Sequence, residues 1–389
     1  MKVIIAGGGT AGHIYPGIAL AKKLIKKQAD MEIIFIGTEK GMESRIVPSE
    51  GFKIEFIRVA GFKRKISTGL ISSFRKMFDG YADAKTIIKR FNPDVVIGMG
   101  GYVCGPVLFC ASRLKIPTLI HEQNSVPGMT NKILSRFVKT VCISFEESRA
   151  FFKKARYISF TGNPIREELA TASRKDCRDA LGLEVGERLV VVMGGSLGAE
   201  KINEAVVEMI KDYYVIPTVI GRFTNQVVGY KLLFSTGESR FESVMANFAE
   251  KSNDSAEKKP IPYGVEIRSF IHDVASVYAA ADLIVCRAGA ITLSELAFMG
   301  LPSILIPSPN VTANHQEQNA LTFQRHGAAH ILLERDLNAR SLSEAIDEML
   351  NNQGILTRMA KQSRELAKPE AIKVIIDEIY TLVQNRKYE

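Results

Sequence analysis

Short runs rich in valine and isoleucine, each followed by a helical pattern, recur along the whole chain, most clearly at residues 2–6, 32–37, 94–98, 118–121, 189–194 and 282–286. Runs this short and this uniformly apolar do not read as strands with one wet face. They fit strands covered by helices on both sides, the mark of βαβ units and parallel sheets. The pattern predicts an α/β chain.

A chain of 389 residues exceeds one ordinary core, and a prior of about 150 residues per domain favours two. The segment Thr161-Gly162-Asn163-Pro164-Ile165-Arg166 breaks the pattern with a glycine and a proline, and the polar, helix-like stretch 174–181 follows it. Strand 189–193, the loop Gly194-Gly195-Ser196-Leu197-Gly198 and a helix from about Ala199 then repeat the strand, loop and helix that open the chain. The division predicted is an N-terminal Rossmann-like domain over 1–163, a C-terminal one over 164–370, and a helix over 371–389 able to pack back on the first. Two such doubly wound domains facing each other would leave a cleft along the carboxyl ends of their strands, where ligands bind in such sheets. The least ordered stretch is expected over 234–262, with 251–259 a polar surface loop.

Composition narrows the functional classes. Cys104, Cys110, Cys142, Cys177 and Cys286 are odd in number and form no C-x-x-C pair, which points to core thiols and away from disulfides or zinc. Met1 leads straight into an apolar strand, so no signal sequence is expected and the protein should stay in the cytoplasm. The uncharged stretch 95–112 approaches the ~20 residues of a membrane span. It is cut by Gly98, Gly100, Gly101, Gly105 and Pro106, so a strand, a glycine loop and a helix start are expected there, with no transmembrane helix. A net charge of +9 would suit an anionic ligand, a nucleic acid or an acidic membrane surface.

Four loops carry side chains suited to chemistry. The first, Gly7-Gly8-Gly9-Thr10-Ala11-Gly12-His13, contains G-x-G-x-x-G, whose glycines allow close backbone approach while the following helix N-terminus attracts phosphate. Pro16 suits the first helical turn, and Ile14, Ile18, Ala21 and Ile25 form a buried stripe. A dinucleotide-dependent oxidoreductase is the rival reading, but the acidic residue it wants after the second strand is met only by Glu39, which falls late. His13, at the positive end of that helix, should stay neutral and able to accept a proton; packing or capping is the alternative. The second loop, Gly98-Met99-Gly100-Gly101-Tyr102, is an anion cradle or a tight turn needing positive φ.

The third region runs from Cys286 through Arg287, Gly289, Ala290, Ile291, Thr292, Leu293 and Ser294 to Glu295, from a strand into a helix. Thr292 and Glu295 match a capping box, while a carboxylate on that first turn could instead accept from ribose hydroxyls. The fourth, from Asn310 through His315 and Gln316 to Asn319, gathers amides suited to sugar hydroxyls or to a capped polar loop. No D-x-D triplet and no metal-spaced cluster occurs, so no metal and no cofactor are expected, and phosphate charge falls to helix N-termini and to cations such as Arg166.

Taken together, Gly8-Gly9-Thr10-Ala11-Gly12-His13, Gly98-Met99-Gly100-Gly101-Tyr102, His121-Glu122-Gln123-Asn124, Gly162-Asn163-Pro164-Ile165-Arg166, Gly194-Gly195-Ser196-Leu197-Gly198-Ala199, Arg287 to Glu295 and His315 to Ala320 resemble the MurG family of peptidoglycan-synthesis transferases. The resemblance covers most of the chain. It implies the GT-B fold and inverting transfer of N-acetylglucosamine from UDP-N-acetylglucosamine to the C4 hydroxyl of a lipid-linked muramyl-pentapeptide. With that come a role in cell-wall growth and division, a place at the cytoplasmic face of the plasma membrane, and no nucleic acid as partner. Another GT-B transferase with a different sugar nucleotide or acceptor is the alternative.

The residue roles follow from the resemblance as well. Arg166 and Ser196 would hold the diphosphate, Ile271 would meet uracil through its backbone, Ala290, Ile291, Thr292, Leu293, Ser294 and Glu295 would form the ribose end, and Gln316 would read the donor sugar. Thr10, Ala11, Gly12 and Asn124 would complete the donor site, Gly100, Gly101 and Tyr102 would face the acceptor pyrophosphate, and His13 would be the base. The stretch 212–230 reads as an insertion before a strand at 231–235. Phe62 to Ile66 with Leu70, Ile71, Phe74, Arg75, Lys76, Met77 and Phe78 mixes basic and apolar side chains, which suits an anionic membrane surface or an ordinary amphipathic helix.

Overall fold

The structure, a computed structural model, describes residues 1–59, 70–195, 198–213, 229–249, 261–262 and 264–386, with side chains of the helix beginning at Leu70 described from Phe78 onward. It comprises two compact units, Met1–Arg166 with Lys368–Glu389, and Glu167–Ala367.

The first unit runs β1 (Lys2–Ala6), α1 (Ala11–Lys27), β2 (Glu32–Gly37), α2 (Glu43–Ser49), β3 (Lys53–Phe56), α3 (Leu70–Phe91), β4 (Val95–Gly98), α4 (Cys104–Arg113), β5 (Thr118–Glu122), α5 (Met129–Leu134), β6 (Thr140–Ile143) and β7 (Ile158–Phe160). The sheet is parallel throughout in the order β3-β2-β1-β4-β5-β6-β7. Alternation inside each apolar run feeds two cores. Ile4 and Ala6 pack with Val96, Val107, Leu108 and Leu134 on one face, whereas Val3 and Ile5 pack with Ile14, Ile18, Leu24 and Ile97 on the other.

The second core is completed by the last helix of the chain, Ala371–Arg386. Its Ile375, Ile376 and Ile379 are buried against β1 and α1, and Tyr380 donates its hydroxyl to Gln28 at 3.3 Å. Two details of α1 depart from the sequence reading. Thr10 is extended, so the helix begins at Ala11 and Pro16 lies in its interior, beyond the first turn. Ile25 is exposed and Leu24 buried in its place, because the helix turns its stripe by i+3 there where the reading took i+4.

The second unit contains α6 (Arg174–Ala180), β8 (Arg188–Met193), α7 (Glu200–Tyr213), β9 (Tyr230–Ser235), α8 (Phe241–Ala249), β10 (Val265–Arg268), α9 (Val274–Ala280), β11 (Leu283–Cys286), α10 (Ala290–Met299), β12 (Ser303–Leu305), α11 (His315–Arg325), β13 (His330–Ile331), α12 (Ala339–Leu350) and α13 (Gln353–Glu365). Its parallel sheet, β10-β9-β8-β11-β12-β13, repeats the order of the first. The stretch 234–262, read as the least ordered, contains the end of β9 and all of α8, whose Val244 and Phe248 are buried in the core; the polar spacing hid an amphipathic helix. Residues 251–259, and most of the insertion read at 212–230, lie outside the described residues.

All five cysteines are free and buried, and burial pushes the thiols of Cys104 and Cys286 up to about 12. Because Ile379 is fully buried in the core of the first unit, Ile379→Ala should cost about 2–5 kcal/mol of unfolding free energy in a denaturant titration.

Candidate functional site

In each sheet the strand order reverses once, between β1 and β4 and again between β8 and β11. The loops leaving those strands diverge to opposite faces and open a crevice at their carboxyl ends. The glycine-rich segments of the sequence fall on these loops.

In the first unit, the loop after β1 returns the His13 ring toward its own backbone. His13 Nδ1 lies 3.1 Å from the Gly8 carbonyl oxygen and 3.1 Å from Thr10 Oγ1. A carbonyl only accepts, so Nδ1 carries a hydrogen, which in the neutral ring puts the lone pair on Nε2. The loop after β4 packs directly on this arrangement. A Cβ on Gly100 would stand 2.5 Å from His13 Cδ2, and one on Gly101 would stand 2.3 Å from the Gly8 oxygen, while both residues hold positive φ. These two glycines thus satisfy a turn and a close approach at once. Tyr102 closes the group, with its hydroxyl 3.3 Å from Thr38 Oγ1.

The first loop departs from the phosphate-cradle reading at Gly9. That amide donates at 3.0 Å to the carboxylate of Glu43, the first residue of α2, and Glu43 is fully buried. Its one hydrogen is committed to Glu43, so the Gly9 amide has none to offer a phosphate.

Behind these loops lies a buried polar layer. His121 donates from Nε2 to the Gly162 oxygen at 2.9 Å and accepts at Nδ1 from Gln123 Nε2 at 3.1 Å. The same Gln123 amide reaches the Met99 carbonyl at 2.7 Å, tying the Asn124 loop to the Gly100 loop. Glu122 accepts from the Asn124 amide at 3.0 Å, from Gly128 at 3.2 Å and from Asn131 Nδ2 at 2.8 Å. Burial pushes its carboxyl up against these bonds, which pull the other way. Sequence reasoning placed Glu122 within a motif without a role and passed over Glu43 and Asn131; their signal is desolvation, which no local spacing reports. Arg166 is half-buried at the end of this unit.

In the second unit, Ser196 lies outside the described residues. Its neighbour Gly198 has φ +72 and approaches the Thr236 carbonyl so closely that a Cβ would stand 2.2 Å from it. After β11 the N-cap of α10 is Gly289, which makes Thr292 an interior residue and removes the capping-box alternative. Glu295 is buried. Asn319 of α11 donates to the Ala288 carbonyl at 3.3 Å, and Arg287 donates to Ile306 at 3.1 Å and pairs with Glu334, so the turns after β11 and β12 are bound together.

Gln316 accepts the Ser308 amide at 2.9 Å. The turn before it holds Ala313 and Asn314 in succession at positive φ, a conformation that costs about 1–3 kcal/mol per residue and tends to persist where function requires it. Ile271 is buried, and no hydrogen bond among the described residues ties it to this constellation. Among the described residues no group of three or more His, Cys, Asp and Glu side chains could hold a metal ion.

Burial holds the His121 imidazole down at about 4, below its usual 6.5. Between those values the unfolded chain binds a proton that the folded one refuses, so stability falls as pH drops through this window, by up to about 1.4 kcal/mol per pH unit. Glu122, raised by burial, works in the opposite direction. Denaturation midpoints of wild type and His121→Asn across pH 4 to 6.5 should diverge at the neutral end and converge in acid.

The chain matches the glycosyltransferase family 28 N-terminal domain over residues 3–143 and the glycosyltransferase family 28 C-terminal domain over 189–375. It is 48% identical over 386 residues, 99% of each chain, to an enzyme of Acetivibrio thermocellus named UDP-N-acetylglucosamine–N-acetylmuramyl-(pentapeptide) pyrophosphoryl-undecaprenol N-acetylglucosamine transferase. A protein of the same name from Caldanaerobacter subterraneus subsp. tengcongensis is 45% identical, covering 98% of this chain and all of that one. Among solved structures, Acinetobacter baumannii MurG superposes with a TM-score of 0.74 at 29% identity, covering 98% of this chain and 99% of that one. A UDP-GlcNAc 2-epimerase from Neisseria meningitidis, at 12% identity and a TM-score of 0.64, shares the fold alone.

Proposed function

This chain belongs to glycosyltransferase family 28, and from that premise we propose that it transfers N-acetylglucosamine from UDP-N-acetylglucosamine to the C4 hydroxyl of a lipid-linked muramyl-pentapeptide, with inversion. Relatives named for this transfer, matched from end to end, support the substrates. The observation that supports the mechanism is the bond from His13 Nδ1 to the Gly8 carbonyl, which in the neutral ring leaves Nε2 to accept a proton.

In this reading Nε2 takes the acceptor hydroxyl proton as the oxygen attacks the anomeric carbon, and UDP departs with the bonding pair. Arg166, Ser196 and the N-terminal amides of α10 balance the charge that builds on the diphosphate, the larger share of the rate gain where donors are fixed in advance. Thr10, Ala11, Gly12 and Asn124 complete the donor end. Ile271 meets uracil through its main chain, Ala290 to Ser294 bring Glu295 to the ribose, and Gln316 reads the sugar. Gly100, Gly101 and Tyr102 receive the acceptor pyrophosphate. Glu295 suits the ribose because its helix no longer needs it as a cap.

A lipid acceptor brings the chain to an anionic membrane surface at the cytoplasmic face. No helix among the described residues is long and apolar enough to cross a membrane, and the attachment proposed is peripheral. The basic residues Lys63, Arg64, Lys65, Arg75 and Lys76 lie where side chains are not described. Among the described side chains Phe78 is 69% exposed, and Phe109 stacks edge-to-face with Phe137 at 5.1 Å while both remain exposed. Met129 and Ile133 stand exposed on α5, which packs on α4. Large apolar side chains left exposed in this way suit an interfacial patch.

Transfer of radiolabelled sugar into the lipid fraction without added divalent metal should proceed for wild type and fall about 10²–10⁴-fold for His13→Ala, with donor and acceptor affinities unchanged. Turnover close to wild type in that variant would remove His13 as base, and absence of lipid product in wild type would remove the acceptor. Flotation with vesicles should favour anionic over neutral lipid, and neutralising Lys63, Arg64 and Lys65 should abolish the preference.

A further inference from the structure

The first glycine loop is organised around a carboxyl group that its own residues do not supply. Glu43 is fully buried, yet no cation stands within ion-pair distance of it among the described residues. Its carboxylate is held by donors alone. Oε2 accepts the Gly9 amide at 3.0 Å, and Oε1 accepts the Thr38 amide at 3.0 Å and the Thr38 hydroxyl at 2.8 Å. Three glycines make room for it: a Cβ on Gly8 would stand 2.5 Å from Oε1, one on Gly41 2.2 Å from the carboxylate, and one on Gly37 2.5 Å from Cγ.

A carboxylate is an expensive way to fill such a space. Burying it unpaired costs several kcal/mol unless hydrogen bonds satisfy it, and an apolar side chain would pack there without that cost. What the carboxylate alone provides is acceptance on both oxygens, and the groups that reach it from the two loops are N–H and O–H donors. Through Oε2 it fixes Gly9, adjacent to the carbonyl of Gly8 that sets the tautomer of His13. Through Oε1 it fixes Thr38, whose hydroxyl meets Tyr102 on the second loop.

We propose that Glu43 is the positioning residue of this site: it clamps the loop after β1 and so holds the Gly8 carbonyl where it orients His13 as a proton acceptor. The proposal rests on the reading of His13 as the base. It predicts a rate effect that passes through His13 and a fold that survives.

The test is a double-mutant cycle on the full chain. Glu43→Gln keeps the shape but sets an amide NH₂ against donor groups. Its kcat should fall about 10²-fold, the loss expected when a catalytic group is misplaced by an ångström, with donor KM and circular dichroism unchanged. The variant carrying both Glu43→Gln and His13→Ala should be no slower than His13→Ala alone, because a clamp on an absent base has nothing left to orient. Multiplicative losses in the double variant, or wild-type kcat in Glu43→Gln beside a slow His13→Ala, would overturn the clamp. Fast turnover in His13→Ala would instead overturn the base reading itself. If Glu43→Gln does not fold, Thr38→Val, which removes one hydroxyl donor from Oε1, is run through the same cycle, where a loss absent from the His13→Ala background supports the clamp and a multiplicative loss overturns it.

Discussion

Hydrogen bonding between parallel strands decides where this chain can do chemistry. Every ladder in both sheets is parallel, so each connection crosses a face of the sheet and every strand delivers its loop to the same edge. With the order reversing at β1 and β4, and again at β8 and β11, the loops at each reversal separate. What they separate around is a space lined by backbone amides and helix starts, the one place in such a fold where polar groups can face a ligand without breaking the core.

Geometry of that kind needs stiffening, and here it comes from desolvated polar groups. Glu43 binds the loop after β1 to the loop after β2, Gln123 binds the loop after β5 to the loop after β4, and His121 binds β5 to the turn at Gly162. Asn203 and Asn319 do the same in the second unit, donating to the Thr236 and Ala288 carbonyls at 2.9 and 3.3 Å. Each buried partner would be costly to leave unsatisfied, so movement of any loop is opposed by the desolvation penalty of the groups beneath it. The glycines at 8, 100, 101 and 198 permit the contacts, but it is the amides, carboxylates and the imidazole that set the positions.

Strand content was legible because burial on both faces leaves a signal confined to a few consecutive residues. The runs at 2–6 and 32–37 became β1 and β2, and the restart at 189 became β8 after one added residue. Helix detail was less legible. Pro16 was placed in the first turn, which the extended conformation of Thr10 put out of its reach, and Ile25 was placed on a stripe that the helix continues through Leu24. The pairing of Thr292 with Glu295 looked like a cap until Gly289 took the cap position. In each case the local pattern was compatible with more than one register, and packing selected one.

The sequence by itself determined the parallel α/β architecture and the glycine loops, since each rests on residues close together in the chain. Family membership likewise rests on short ordered motifs. Only the tertiary structure decided which polar residues hold those loops. Glu43 reaches Gly9 across 34 positions and His121 reaches Gly162 across 41, and their importance comes from losing water as distant segments close over them. Desolvation is a property of the packed fold and has no spacing in the sequence.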